Sequence, residues 1–310
     1  MILTNGFIIE APEHLLPCYR ISPFRTINSY QNKISKETNE LDITDYLSNR
    51  FPKKDVFLTN NGRSALEAAL IMLNLGADDV VTIFTTTNSF YISSCVTNEI
   101  EKICKWSRTI EKNTKVILVN HEFGFCSQDM KEYADLGYPI IEDFAHSFLS
   151  DSIDNKTGYY GDFLVFSLSK YFPIQVGGAL VYSKSFQNKY IEEKDFSSYI
   201  KNATTSYVKS IPSIKSKRIE NYQYYVELFA NLGLAPYFSL EENDCPGVFC
   251  FKVPKQINLD KMKLFINSNG VESSVLYGES AYFLPCHQNL EKSDIEYIYT
   301  LVKFFLEAEL

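Results

Sequence analysis

Short apolar runs separated by helical stretches constrain this chain more than any other feature. The runs are Val56 to Thr59, Asp79 to Phe84, Lys115 to Asn120, Tyr138 to Ile141, Phe163 to Leu168 and Ala179 to Tyr182. Between the first two, Ala65, Leu66, Ala69, Leu70, Met72 and Leu73 recur with helical period. Strands and helices alternating at this length predict an α/β fold, a mostly parallel sheet covered on both faces. Ligands of such sheets collect at the carboxyl ends of the strands. Gly62, Asn88, His121, Asp143 and Lys170 are all expected at that edge.

Local signals add detail. Tyr19 to Arg25 reads as an irregular arm, with Arg20 and Arg25 either reaching an anionic ligand or lying on the surface as charges. Residues 37–50 are compatible with a helix. Asn60 to Ser64 is a turn at a helix start, where unpaired amides and the positive end of the helix dipole suit a phosphate, with Arg63 and Ser64 as extra donors. The bland alternative is a simple N-cap. Gly76 is expected to close that helix as a left-handed cap. Thr85 to Ser89 is read as a capping segment that leads into a helix through Phe90, Tyr91 and Ile92. Gln128 to Leu136 reads as a further helix.

After Ser183 the pattern changes. Residues 185–210 are polar and helical in character, and Pro212 opens a long helix with Ile214, Ile219, Tyr222, Tyr225, Leu228 and Phe229 on its apolar face, ended by Gly233. A smaller α+β piece follows: strand 247–253, helix 260–267, strand 271–276 and helix 293–306. The expected domains are therefore a large one over residues 1–190, including the N-terminal arm, and a small C-terminal one over 191–310, including the connecting helices.

Composition narrows the function classes. The net charge of −8 argues against nucleic acid and against an anionic membrane surface as partners. No run of 18 apolar residues is present, and Met1 to Gly6 does not open a signal peptide. The 7 cysteines include no CxxC pair, which suits reduced, buried thiols and a cytoplasmic location. The 4 histidines lack metal-ligand spacing, so a zinc site is not expected. The first strand is not followed by GxGxxG, which sets a dinucleotide-binding reading aside. The surplus of 21 Tyr and 23 Phe suits a large core or an interface.

Lys170 is the one lysine in a nearly uncharged segment between two apolar runs, with the pair Gly177-Gly178 just after it. A partly desolvated lysine loses its proton more readily, and its free amine can attack a carbonyl. A snorkelling surface lysine is the alternative. What decides is order along the chain: the Gly62 turn, then Glu142-Asp143-Phe144-Ala145-His146 at a strand end, then Phe166-Ser167-Leu168-Ser169-Lys170 and the Gly pair.

This series resembles the DegT/DnrJ/EryC1/StrS family of pyridoxal phosphate (PLP)-dependent sugar aminotransferases. The resemblance covers about residues 56–183 and resumes at Phe283 to Leu290, similar to the family's Leu-Pro-x-His segment. His121-Glu122-Phe123-Gly124 is similar to its His-x-Tyr-Gly strand end. The resemblance implies the aspartate aminotransferase-like (type I) PLP-dependent transferase fold, with a three-layer α/β/α large domain and a small α+β domain. It implies Lys170 as the Schiff-base lysine and proton shuttle, Asp143 as partner of the pyridinium nitrogen, and His146 beside the ring, where a structural histidine is the alternative. It puts the phosphate on Ser167, Gly62, Arg63 and Ser64, and ring stacking at Asn88 or, in its place, Phe90 or Tyr91.

The resemblance further implies an amino acid donor such as glutamate, a nucleotide-linked keto sugar as acceptor, a place in surface-polysaccharide or related glycan biosynthesis, and a homodimer. Three departures from the family pattern stand out. The Ser167–Lys170 gap is three residues where five are usual, Asn88 is not aromatic, and the Gly-Tyr-Asn-Tyr-Arg segment that reaches the neighbouring subunit's cofactor is not recognisable. Two other readings remain open at this point: a PLP-dependent sugar dehydratase, disfavoured because related dehydratases carry histidine in place of the lysine, and a non-catalytic PLP-fold binding protein.

Overall fold

A computed structural model describes residues 18–34, 41–188 and 194–309. The expected division at 190/191 lies outside these residues, as does His14. The larger sheet contains β1 (Lys54–Thr59), β2 (Val80–Thr85), β3 (Lys105–Ser107), β4 (Thr114–Asn120), β5 (Ile140–Asp143), β6 (Phe163–Ser167) and β7 (Gly178–Ser183), in the order β1-β7-β6-β5-β4-β2-β3. β3, β2, β4, β5 and β6 run parallel, whereas β7 is antiparallel to both β6 and β1.

Successive side chains of each strand serve opposite faces. Val116 and Leu118 of β4, with Phe163 and Val165 of β6, pack under α3 (Gly62–Leu73) and α4 (Ser94–Glu101). Leu164 and Phe166 of β6 pack on the other side against α2 (Ile43–Arg50) and α6 (Lys194–Val208). Ile117 and Val119 of β4 join α5 (Met130–Asp135) there. Every residue of β6 is buried, and each large apolar side chain so withdrawn from water contributes about 1.5–3 kcal/mol.

The second sheet is antiparallel, β8-β10-β9, from β8 (Val248–Lys252), β9 (Ser274–Leu276) and β10 (Ala281–Pro285). It is covered by α7 (Ile211–Ala230), α8 (Leu259–Ser268) and α9 (Lys292–Glu309). Tyr225 stacks on Phe249 with ring centroids 4.7 Å apart, and Phe229 meets both Phe249 and Phe251 edge-on, so much of the aromatic surplus lies in this core. α7 joins the two units: Ile214 near its start belongs to the large-sheet core, whereas Tyr222, Tyr225 and Phe229 belong to the small-sheet core.

Several local expectations change. Asn74, in the left-handed conformation (φ 53°), caps α3, because an asparagine tolerates that region and comes two residues before Gly76. The helix expected from Phe90 begins at Ser94, capped by the Ser93 hydroxyl. The arm at 18–25 is followed by a short helix, α1 (Thr26–Ile34), and α2 opens with an Asp42–Asp45 capping box. β3 and β10 are additional strands: β3 has only 3 residues, whereas β10 is a fully buried run of 5 that went unread as a strand.

The loop after β4 inserts Phe123 and Phe125 into the small-sheet core. Gly124 makes this possible: its φ is +104°, and an added Cβ would lie 2.3 Å from the Cys245 carbonyl oxygen. Gly124→Ala is therefore expected to destabilise the protein by about 1–3 kcal/mol or more. A urea unfolding midpoint equal to that of the parent protein would contradict this packing.

Candidate active site

A cavity of about 470 Å³ opens at the carboxyl ends of β1, β4, β5 and β6, within the usual size range of small-molecule sites. One end is built by the start of α3. Asn61 caps the helix by accepting from the Ser64 amide at 3.0 Å, and its carbonyl accepts from Ala65. The Gly62 and Arg63 amides, both at the cavity wall, have no intrahelical acceptor. Ser167, the last residue of β6, lies against Gly62: a Cβ on Gly62 would come 3.2 Å from that of Ser167.

The Gly177-Gly178 pair lets β7 pass this turn. Gly177 donates to Asn60 O at 2.6 Å, and a Cβ on Gly178 would lie 2.3 Å from the Asn61 backbone. The result is a cradle of backbone amides, one hydroxyl and one exposed guanidinium, suited to a phosphate.

The other functional groups come from β5 and from the turn after β6. β5 delivers Asp143 and, three residues on, His146 to the cavity. The Asp143 carboxylate accepts from the Ala145 amide at 2.8 Å. Burial raises its pKa, against the lowering effects of that amide and of the Lys170 and His121 charges. Lys170 ends a 3₁₀ turn over Leu168–Lys170, so the three-residue gap after Ser167 is spanned by one tight turn. Its Nζ contacts His146 Nε2. Burial lowers the Lys170 amine to about 8, outweighing the opposing attraction of Asp143. His146 is held well below the usual imidazole range, by burial first and then by the Lys170 and Arg218 charges. A neutral imidazole therefore faces an amine that loses its proton at about pH 8, well below the ordinary lysine value.

The remaining wall is apolar and acidic. Phe123, itself at φ 53°, packs against His146 (5.2 Å between rings), Phe283 (4.9 Å) and Tyr91 (6.1 Å). Glu122 is buried and accepts from the Thr87 amide, the Thr87 hydroxyl and the Ser89 hydroxyl at 2.7–2.8 Å. Glu272 holds the Ile21 amide at 2.9 Å, so the arm at 19–22 closes one side.

Of the residues expected from sequence, Gly62, Arg63, Asp143, His146, Ser167 and Lys170 line this cavity. Ser64 is engaged through its amide in the Asn61 cap. Asn88 and Phe90 are not on the wall: Asn88 is an exposed left-handed turn residue and Phe90 is 76% exposed. Tyr91 occupies the wall instead. His121 faces a second, 30 Å³ cavity, donating from Nε2 to Glu142 at 3.0 Å and accepting the Ser127 amide at Nδ1. Arg25 bonds the Asn289 carbonyl, and neither it nor Arg20 lines the site. Glu272 and Phe283 gave no local signal as site residues, since Phe283 reaches the cavity from β10 and Glu272 from the connection between α8 and β9. Among the described residues no His/Cys/Asp/Glu cluster could hold a metal, and no helix is long and apolar enough to cross a membrane.

A family model described as "Putative PLP-dependent aminotransferase" matches residues 44–238. No curated protein matches in sequence. Among solved structures, the aminotransferase TlmJ from Streptoalloteichus hindustanus is 17% identical, with a TM-score of 0.67 over 82% of this chain and 86% of that one. The PLP form of the "putative sugar aminotransferase Spr1654" from Streptococcus pneumoniae is 16% identical, with a TM-score of 0.69 over 97% and 100%. A DegT DnrJ EryC1 StrS aminotransferase from Brucella abortus is 14% identical, with a TM-score of 0.64 over 84% and 88%. These structures share the fold, a mostly parallel central sheet with flanking helices. The family match spans well over half of the chain, and the chain belongs to the PLP-dependent aminotransferases.

Proposed function

We propose that this aminotransferase holds PLP through Lys170 and passes an amino group from an amino acid, glutamate in the simplest case, to a keto sugar carried on a nucleotide. The observation that carries the reading is the arrangement in one cavity of a desolvated amine (Lys170), a buried carboxylate (Asp143) and the anion cradle at the start of α3. These groups fit PLP: the cradle suits its phosphate, and Asp143, raised by burial, is relieved by a cationic N–H. When bound, PLP supplies an electron-accepting ring that stabilises carbanion character next to the transferred nitrogen.

The chain's own residues do the rest. Gly62, Arg63 and Ser167 hold the phosphate. Asp143 keeps the pyridinium proton in place. Neutral His146 accepts from the Lys170 amine and orients it. Lys170 Nζ would take the proton from the donor's α carbon and deliver it to the cofactor carbon bonded to the transferred nitrogen. Tyr91, Phe123 and Phe283 exclude water on the small-sheet side. The sugar acceptor is supported by the likeness to Spr1654, whose name is that of a sugar aminotransferase. A role in surface-polysaccharide or related glycan biosynthesis, a cytoplasmic location and a homodimer complete the reading.

Adding PLP to the purified protein is expected to give the visible absorption band of lysine-bound cofactor, and glutamate to bleach it. Lys170→Ala should lose both the band and roughly 10²–10⁴-fold in amine transfer to a keto sugar from a nucleotide-linked panel. An unchanged band in that variant would sink the assignment of Lys170. Bleaching with no turnover of any keto sugar would leave the cofactor chemistry and remove the acceptor.

The lysine also makes a stability signature. The folded amine titrates at about 8 against 10.5 when unfolded, so between those values the unfolded chain binds more protons. This group's contribution to stability must then rise with pH across that window. Denaturant unfolding of cofactor-free protein is expected to show that rise relative to Lys170→Met. Parallel stability–pH curves for the two proteins would show that the amine is not desolvated.

A further inference from the structure

Arg218 lies midway along α7 and is fully buried. Its position was legible as an anomaly: it falls on the apolar stripe, four residues after Ile214 and four before Tyr222. Among the described residues its hydrogen-bond partners are all uncharged. Nε donates to Gln288 Oε1 at 3.0 Å, Nη1 to the carbonyls of Pro246 (3.1 Å) and Cys286 (3.4 Å), and Nη2 to the Lys170 carbonyl at 2.7 Å. The guanidinium sits over the Tyr171 ring, 4.3 Å from its centroid. Burying a cation without a counter-ion costs several kcal/mol, and an apolar side chain of the same volume would be cheaper.

What the cation holds gives a reason for it. The turn that carries Lys170 exposes a row of backbone carbonyls, and each is tied down. Leu168 O accepts from the Tyr171 and Phe172 amides. Ser169 O accepts from the Ser22 hydroxyl at 2.6 Å, Lys170 O from Arg218, and Tyr171 O from Gln288 Nε2 at 2.7 Å. Arg218 and Gln288 also bond to each other, so two successive carbonyls of the turn are held by one rigid pair. The pair reaches them from α7 and from the segment after β10. The planar fork of arginine satisfies acceptors in several directions at once, which a lysine ammonium does not reproduce.

We propose that Arg218 and Gln288 are positioning residues for Lys170, fixing the 3₁₀ turn so that the lysine amine stays withdrawn from water and against His146. The inference rests on the reading that Lys170 carries the cofactor. It predicts that loosening the clamp leaves a folded protein whose amine is more solvated and less well aimed.

The test uses the full chain with added PLP, following the rate of appearance of the visible band as a function of pH, alongside the thermal midpoint of the cofactor-free protein. Gln288→Ala and Arg218→Lys are expected to slow band formation roughly ten- to a hundredfold. The pH midpoint of the reaction should move upward from about 8 toward the ordinary lysine value of 10.5. A merely structural role would lower the thermal midpoint and leave the pH midpoint where it was, and that result overturns the proposal. Gln288 is only half-buried, so Gln288→Ala decides the matter if Arg218→Lys does not fold. Lys170→Ala separates the two failures. A band that survives in it sinks the cofactor assignment, whereas a band lost in it but unaltered in the clamp variants sinks only the clamp.

Discussion

The desolvation of the Lys170 amine sets the terms for its surroundings. Withdrawing an ammonium from water favours the neutral form, and a carboxylate nearby favours the charged one. In this site burial prevails over Asp143, and the amine titrates at about 8. That outcome depends on distance and on dryness together. Were Asp143 to form a direct ion pair with the lysine, the amine would be locked as a cation and could not attack a carbonyl. Instead the amine meets His146, a neutral acceptor that burial keeps unprotonated, with the Arg218 charge and the lysine's own charged form opposing a proton on the ring. The two electrostatic conditions, a reactive amine and a free carboxylate, are therefore met by the same geometry.

The geometry follows from how two strands end. β6 terminates at Ser167 beside the start of α3, and the chain then makes a single 3₁₀ turn before returning as β7. β7 is antiparallel to both of its neighbours, so its first residues lie next to the last residues of β6 and of β1. Phosphate cradle and amine are thus brought together at one edge by adjacent strand ends. Glycine at 178 is required by the approach to the Asn61 backbone. The connection between Ser167 and Lys170 is a single tight turn, and such a turn needs its carbonyls satisfied from outside. Ser22, Arg218 and Gln288 supply that.

This also explains what could be read beforehand. Strands buried on both faces appear as continuous apolar runs whatever their direction, so β1, β2, β4, β5, β6 and the antiparallel β7 were legible, and with them the groups at their ends: Gly62, Asp143, Ser167 and Lys170. Residues whose role depends on a distant contact were not. Of the three positions expected for the wall, Asn88, Phe90 and Tyr91, only Tyr91 lines the cavity, and the choice among them needed a distant contact. Glu122, more than 30 residues away, pins Thr87 and Ser89 through three hydrogen bonds, and Phe90 is left facing outward. Phe283 on β10 and Glu272 in the connection before β9 reach the site only because the C-terminal unit docks there. Arg218 carried a signal, a charge on an apolar stripe, but its meaning needed the position of the Lys170 carbonyl.

Glu142 and Asp143 show how little separates a supporting group from a site group. They are adjacent carboxylates at the end of β5, and the two-residue period of a strand sends them to opposite faces. Glu142 is enclosed by the His121 imidazole at 3.0 Å and the Gly161 amide at 2.7 Å, partners that bind the strand end to the segment after β4 and to the loop before β6. Asp143 has the Ala145 amide and a cavity. The enclosed carboxylate stabilises the platform, while its neighbour keeps bonding capacity in hand for a ligand. A register shift of one residue in β5 would exchange the two roles. The ladder from β4 through β5 to β6, with Asn120 opposite Asp143 and Asp143 opposite Val165, therefore fixes the chemistry as well as the fold.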